Sequence, residues 1–145
     1  MAITGWVLRL LLAFFVFLIV YGSLYPFHFD FTAYGERELQ SLWDFNPLRS
    51  GLTDTVANII LFIPYGFLAY AGFGARSSVT RALVILLVGA GIAFGVQVAQ
   101  LVLPGRTPSG SDAVWNMLGC LIGFALAWLP FERFLPDTTR TRQML

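Results

Sequence analysis

Asp54 and Asn58, and again Asp112 and Asn116, set an acid and an amide four residues apart at the start of a long apolar run. That spacing is little more than one helical turn, so each pair projects from one helix face, with the acid at the end and the amide a turn deeper. A carboxylate drawn into a low-dielectric setting has its pKa raised and can serve as a general base, which makes Asp54 and Asp112 the candidate catalytic residues. No nucleophile in a recognisable context accompanies them. Arg106 lies in Pro104-Gly105-Arg106-Thr107-Pro108-Ser109-Gly110-Ser111. This constrained link presents a guanidinium, the Ser109 hydroxyl and the free N–H groups of a helix start, a combination suited to phosphate or carboxylate. Gln97 and Gln100, Tyr25 and His28, and the amides Asn58 and Asn116 complete the candidate ligand-binding set.

Each of these residues also has a purely structural reading. Asp54 follows Thr53 and Asp112 follows Ser111, so both acids fit as helix caps or first-turn charges, worth about 1 kcal/mol each. Asn58 and Asn116 fit as an interhelical hydrogen bond worth about 0.6 to 2 kcal/mol. Arg106 fits as an ion-pair partner of Asp112 or Asp54. Gln97 and Gln100 share a face and fit as interhelical glue. His28 follows a proline-fixed turn, and a single histidine with no cysteine beside it builds no metal site, so neither metal nor cofactor is expected. Cys120 is the only cysteine and sits among apolar residues, which suits a core position.

The elements that carry these residues belong in a membrane. Hydrophobic residues make up 57% of the chain and charged residues only 12%, against about 25% charged in soluble domains, and the mean hydropathy is +0.74. Residues 6–24, 54–73, 82–103 and 112–129 each approach the ~20 residues that cross a bilayer as a helix. They are too continuous for barrel strands. The expected fold is all-α, a four-helix transmembrane bundle that occupies residues 1–145 as one domain. The short links after the second and third spans make neighbouring helices antiparallel. The first span, framed by Trp6, Tyr21 and Tyr25, is expected to be retained rather than cleaved as a signal peptide, since it has one basic residue, Arg9, and no small-residue cleavage site.

All nine basic residues are arginine. Arg76 and Arg81 stand in the second link without acids, and Arg133, Arg140 and Arg142 crowd the tail, whereas the first link mixes Asp30, Glu36, Glu38 and Asp44 with Arg37 and Arg49. The positive-inside rule then puts both termini in the cytoplasm and gathers the polar candidates on one outer rim. Within the first link, Leu39, Leu42 and Trp43 have helical spacing, which predicts a short interfacial helix that roofs this rim. The arginines form no basic, aromatic-interleaved face, so nucleic acid is not an expected partner. Gly91-x3-Gly95 and Gly119-x3-Gly123 read as smooth faces for close helix approach, and Pro64 as a bend in the second span.

The ordered set Tyr21-Gly22-Ser23-Leu24-Tyr25-Pro26-Phe27, Asp54-x3-Asn58-x3-Phe62-x-Pro64-x-Gly66, Gln97-x2-Gln100 and Pro104-Gly105-Arg106-x2-Ser109-x2-Asp112-x3-Asn116-x2-Gly119-x3-Gly123 resembles the VanZ-like membrane proteins, named after an accessory glycopeptide-resistance protein. The resemblance spans all four helices in order. It implies a polytopic protein of the bacterial cytoplasmic (inner) membrane tied to the cell envelope, without a settled reaction. One position departs from the family pattern: Gln97 stands where a Glu is usual. Acid–base chemistry through that position would be lost here, whereas a hydrogen-bonding role would survive.

Two functions follow as expectations. In one, the outer rim binds an amphipathic, lipid-linked anionic ligand such as an envelope precursor, or a partner membrane protein, in the setting of the lipid bilayer. In the other, the protein is an enzyme acting on a lipid-linked glycan or phospholipid, with Arg106 clamping the head group and Asp54 or Asp112 as base.

Overall fold

The computed structural model describes residues 5–32, 35–46, 48, 50–73 and 79–129. Among these residues the chain is helical, with α1 at Gly5–Leu24, α2 at Glu36–Leu42, α3 at Leu52–Gly72, α4 at Val79–Gln100 and α5 at Gly110–Trp128. Four of these helices are long and apolar enough to cross a membrane: α1, α3, α4 from Ala82 onward, and α5. The short helix expected in the first link is α2. α4 stops at Gln100, short of the expected Leu103, because the chain turns there, with the Leu101 and Leu103 N–H groups on the Val98 and Gln100 carbonyls. Arg76 and the tail arginines Arg133, Arg140 and Arg142, on which the expected orientation rests, lie outside the described residues, as does the side chain of Arg81.

The centre of the bundle is the contact between α3 and α5. Gly119 lies against the backbone of Ile59, Gly123 against Ile63 and Phe67, and Gly66 against Cys120 and Phe124. The contact partners advance together along both helices, so α3 and α5 run parallel and begin at the same end. A Cβ at Gly66 would stand 2.9 Å from the Phe124 nitrogen, and one at Gly123 would stand 2.8 Å from the Phe67 nitrogen. Only glycine permits this approach of two backbones.

The small-residue face expected on α4 is not used in that way. Gly91 and Gly95 are exposed and would meet nothing within 4 Å. The close approach on α4 occurs instead at Gly89, whose missing side chain admits the Tyr65 ring. Tyr65 then donates its hydroxyl to the Ile85 carbonyl at 3.0 Å, which satisfies the phenol inside an apolar core that includes Phe62, Ala69, Ala93, Val96 and Cys120. α3 continues through Pro64 without a break, although the missing donor frees a carbonyl one turn back.

α1 is peripheral. Ile19 is its one buried residue, and Leu10, Phe14 and Phe17 are exposed where a bilayer would cover them. It is tied at both ends. Arg9 donates from Nε to the Gly72 carbonyl at 3.1 Å and stacks on Phe73, complementing the negative end of α3. At the other end Gln100 donates from Nε2 to the Ser23 carbonyl at 2.9 Å.

Candidate functional site

Because α3 and α5 start side by side, their first turns and α2 enclose an open cleft of about 600 Å³. The N-cap residues are Gly51 and Ser109, neither making a side-chain cap bond, so Asp54 and Asp112 occupy the same third position in their helices. Neither acid is the cap itself. Both stand where a negative charge complements the helix dipole, and both line the cleft, Asp54 exposed and Asp112 half-buried.

Asp112 is the end of a chain of hydroxyls. Ser50 donates from Oγ to Asp112 Oδ1 at 2.7 Å, and Ser50 Oγ lies 2.7 Å from Ser111 Oγ, which lies 2.6 Å from Ser109 Oγ. An ionised carboxylate only accepts, and each serine has one hydroxyl proton. The protons therefore run in one direction, from Ser109 to Ser111 to Ser50 to Asp112. Ser111 is fully buried, so this chain also satisfies a hydroxyl with no access to solvent. Ser109, the N-cap of α5, makes no side-chain cap bond; its hydroxyl is engaged with Ser111 instead.

The link ahead of α5 is held from both sides. Gln97, 3% exposed, accepts the Ser109 N–H on Oε1 at 2.9 Å, and Ser41 donates from Oγ to the Pro108 carbonyl at 2.7 Å. The amide of Gln97 thus fills the hydrogen-bonding role that the sequence allowed for it. α2 seats closely here, since a Cβ at Gly110 would collide with the Leu42 and Asp44 carbonyls. Gly105, at φ +83°, supplies the left-handed turn that brings the link round.

The other candidates gather at the same end of the bundle but outside the cleft. Arg106 is exposed and donates from Nη2 to the Tyr25 carbonyl at 3.3 Å. Among the described residues it forms no ion pair with Asp54 or Asp112, so the expected structural pairing is absent. Gln100 holds the end of α1, and the Asp30 N–H meets the Val102 carbonyl at 2.8 Å. Tyr25 and His28 are exposed on this strap. Thr32 gives Asp30 both its hydroxyl and its amide, and these bonds hold the Asp30 carboxyl below its ordinary pKa.

Asn58 is half-buried and does not bond to Asn116; the expected amide lock between the two helices does not form. Asn116 is 3% exposed, and its Oδ1 has no hydrogen-bond partner. A buried acceptor left in this way costs about 1–3 kcal/mol. Among the described residues no group of three acids, histidines or cysteines is placed to hold a metal ion.

Residues 6–131 match the family described as VanZ/LLP1. The chain belongs to this family. No curated protein and no solved structure matches it. The VanZ/LLP1 match takes in all four long helices, α2 and the whole cleft, and with the four apolar spans it makes the chain a multi-pass membrane protein. Sequence reasoning identified Asp54, Asp112, Ser109 and Gln97 in this VanZ/LLP1 protein. It passed over Ser41, Ser50, Thr107 and Ser111. The Ser-x-Ser pattern directly before Asp112 was a usable signal, but the pairing of Ser50 with Asp112 across 62 positions had none.

Proposed function

We propose that this VanZ/LLP1 protein binds the polar head group of an amphipathic, lipid-linked ligand in the cleft between α2 and the first turns of α3 and α5. The cleft carries this reading: it is polar, it is built by buried and directional hydrogen bonds, and it opens at the end of membrane-spanning helices. The anionic part of the ligand meets Arg106, whose neighbour Thr107 lines the cleft and whose one contact, to Tyr25, is exposed and easily given up. The arginine distribution of the sequence supports an orientation in which this end faces away from the cytoplasm, in the cell envelope of a bacterium.

Binding is tested by native mass spectrometry of the full chain released from bilayers into mild detergent. Expected is a co-purified lipid-like adduct that Arg106→Ala and Asp112→Asn each diminish while the protein stays folded. An adduct that survives both substitutions overturns the reading. Asp54 also suits a general base, since it lines the cleft and has no hydrogen-bond partner among the described residues. Conversion of the bound lipid by the native protein but not by Asp54→Asn would make the site catalytic.

A further inference from the structure

The link that builds one side of the cleft has two faces of opposite character. Ser41, Asp44, Ser50 and Gly51 line the cleft. Among them in the chain stand Trp43, 70% exposed, Leu48, 89%, and Leu52, 81%, with Leu39 and Phe45 exposed as well. One exposed leucine on a protein surface carries no meaning, but large apolar groups gathered on one short segment mark a contact surface. The polar face is anchored on α5 and the link before it, through Ser50 on Asp112 and Ser41 on the Pro108 carbonyl.

Trp43 fixes the depth of the apolar face. Its ring centroid lies 6.2 Å from that of Phe94 on α4. α4 ends at Gln100, more than a turn beyond Phe94, which is about 9 Å along the axis at ~1.5 Å per residue. Its apolar span, Ala82–Gln100, has 19 residues and a length of about 28 Å, so it has nothing to spare over ~30 Å of hydrocarbon. Phe94 is therefore inside the hydrocarbon, and the Trp43 ring against it is in the same leaflet. On α4, Phe94 shares a flank with Leu87 and Val98, both exposed where a bilayer covers the helix. The apolar face of the link continues this lipid contact.

We infer that the segment from α2 to Leu52 is seated in the membrane leaflet at this end of the bundle, with lipid acyl chains covering Trp43, Leu48 and Leu52. The cleft wall then stands in lipid instead of projecting into water. Taken with the proposed head-group binding, on which this consequence rests, a lipid reaches the cleft sideways. Its chains stay in the leaflet while its head group turns in past Asp44 and Gly51, the cleft-lining neighbours of Trp43 and Leu52.

The test uses the full chain in nanodiscs of phosphatidylcholine and phosphatidylglycerol, with a nitroxide attached at Leu48→Cys or Leu52→Cys; Cys120 is fully buried and shielded from the label. Electron paramagnetic resonance compares collisions with oxygen, which concentrates in lipid, and with a nickel chelate, which stays in water. Expected is an excess of oxygen over chelate collisions at both positions. The emission of Trp43, taken as the difference between the native chain and Trp43→Phe, should fall by about half or more when the acyl chains carry bromine. An excess of chelate collisions at both positions with an unquenched Trp43 puts the segment in water and overturns the inference. Collisions low with both probes show cover by protein, such as a second copy of the chain, and overturn it as well. The head-group reading is judged separately by the adduct. Labels in water with an adduct that still needs Arg106 and Asp112 overturn the seating alone, and labels in lipid with an adduct indifferent to both residues uphold the seating and overturn the head-group reading.

Discussion

Ser50→Ala isolates the interaction that fixes the wall of the cleft. The substitution removes a 2.7 Å hydrogen bond to a carboxylate and takes from the buried Ser111 its acceptor. Hydrogen bonds to charged groups are worth about 1.5–3 kcal/mol, and a neutral hydroxyl pair contributes about 1 kcal/mol. Ser111 can recover part of its loss by turning its proton to Ser109 Oγ, which reverses that link, and water can reach the half-buried Asp112. The net cost of Ser50→Ala is therefore about 2 kcal/mol. Asp112→Asn removes the charge at the end of the chain, and the double variant Ser50→Ala/Asp112→Asn should lose less than the two single losses added, with a coupling of about 1–2 kcal/mol. Graded unfolding in mixed micelles, followed by far-UV circular dichroism, gives the four stabilities that close the cycle, and Ser50→Thr, which keeps the hydroxyl, should be the mildest change. A coupling below about 0.5 kcal/mol would refute the directed hydroxyl chain, since independent sites add to within that margin.

Further outcomes follow from the same contacts. Gln97→Ala leaves the Ser109 N–H without its acceptor and should cost about 1–3 kcal/mol in the same unfolding assay, whereas Gln97→Glu keeps an oxygen there and should retain the link, seen as unchanged proteolysis between α4 and α5. Gly123→Ala forces its methyl onto the α3 backbone and should cost about 1–3 kcal/mol, while Gly91→Ala, in open space, should be neutral or stabilising in a thermal melt. For Asp30, the folded carboxyl titrates below its ordinary value because Thr32 bonds the charged form. Its contribution to stability is thus complete above the unfolded pKa and is lost as pH falls through the lowered folded value. Thr32→Val should return the titration, read by carboxyl NMR, toward the ordinary range.

The membrane bundle was legible because it rests on terms the chain writes locally: apolar runs of spanning length and turn residues between them. Gly119 and Gly123 were legible for the same reason, but Gly91 and Gly95 show the limit of such reading. An identical spacing on α4 faces outward, because spacing identifies a smooth face and not its partner. Asp54 and Asp112 were recognisable as a repeated pattern. That they start at the same end follows from the short links, but the direct contact of α3 with α5 that puts both on one cleft is carried by no local signal. For Arg106 the alternative structural reading, an ion pair with Asp112 or Asp54, is not formed, and after the turn at Gly105 its guanidinium meets the Tyr25 carbonyl beyond the end of α1. The role of Ser50 was invisible, since a serine in a link has no periodicity to betray a contact with a helix 62 positions away.

The glycine seam between α3 and α5 has a mechanical consequence. Backbone in contact with backbone leaves no side chains to re-rotate, so these two helices cannot slide past each other by small adjustments. The acids at their tips inherit this stiffness and behave as the fixed jaw of a vice. Any widening for a bulky guest must come from the opposite jaw, where α2 is held through Ser41 and the backbone around Gly110. A guest's size is thereby gauged by a seven-residue helix, while its chemistry is judged by a wall that does not yield.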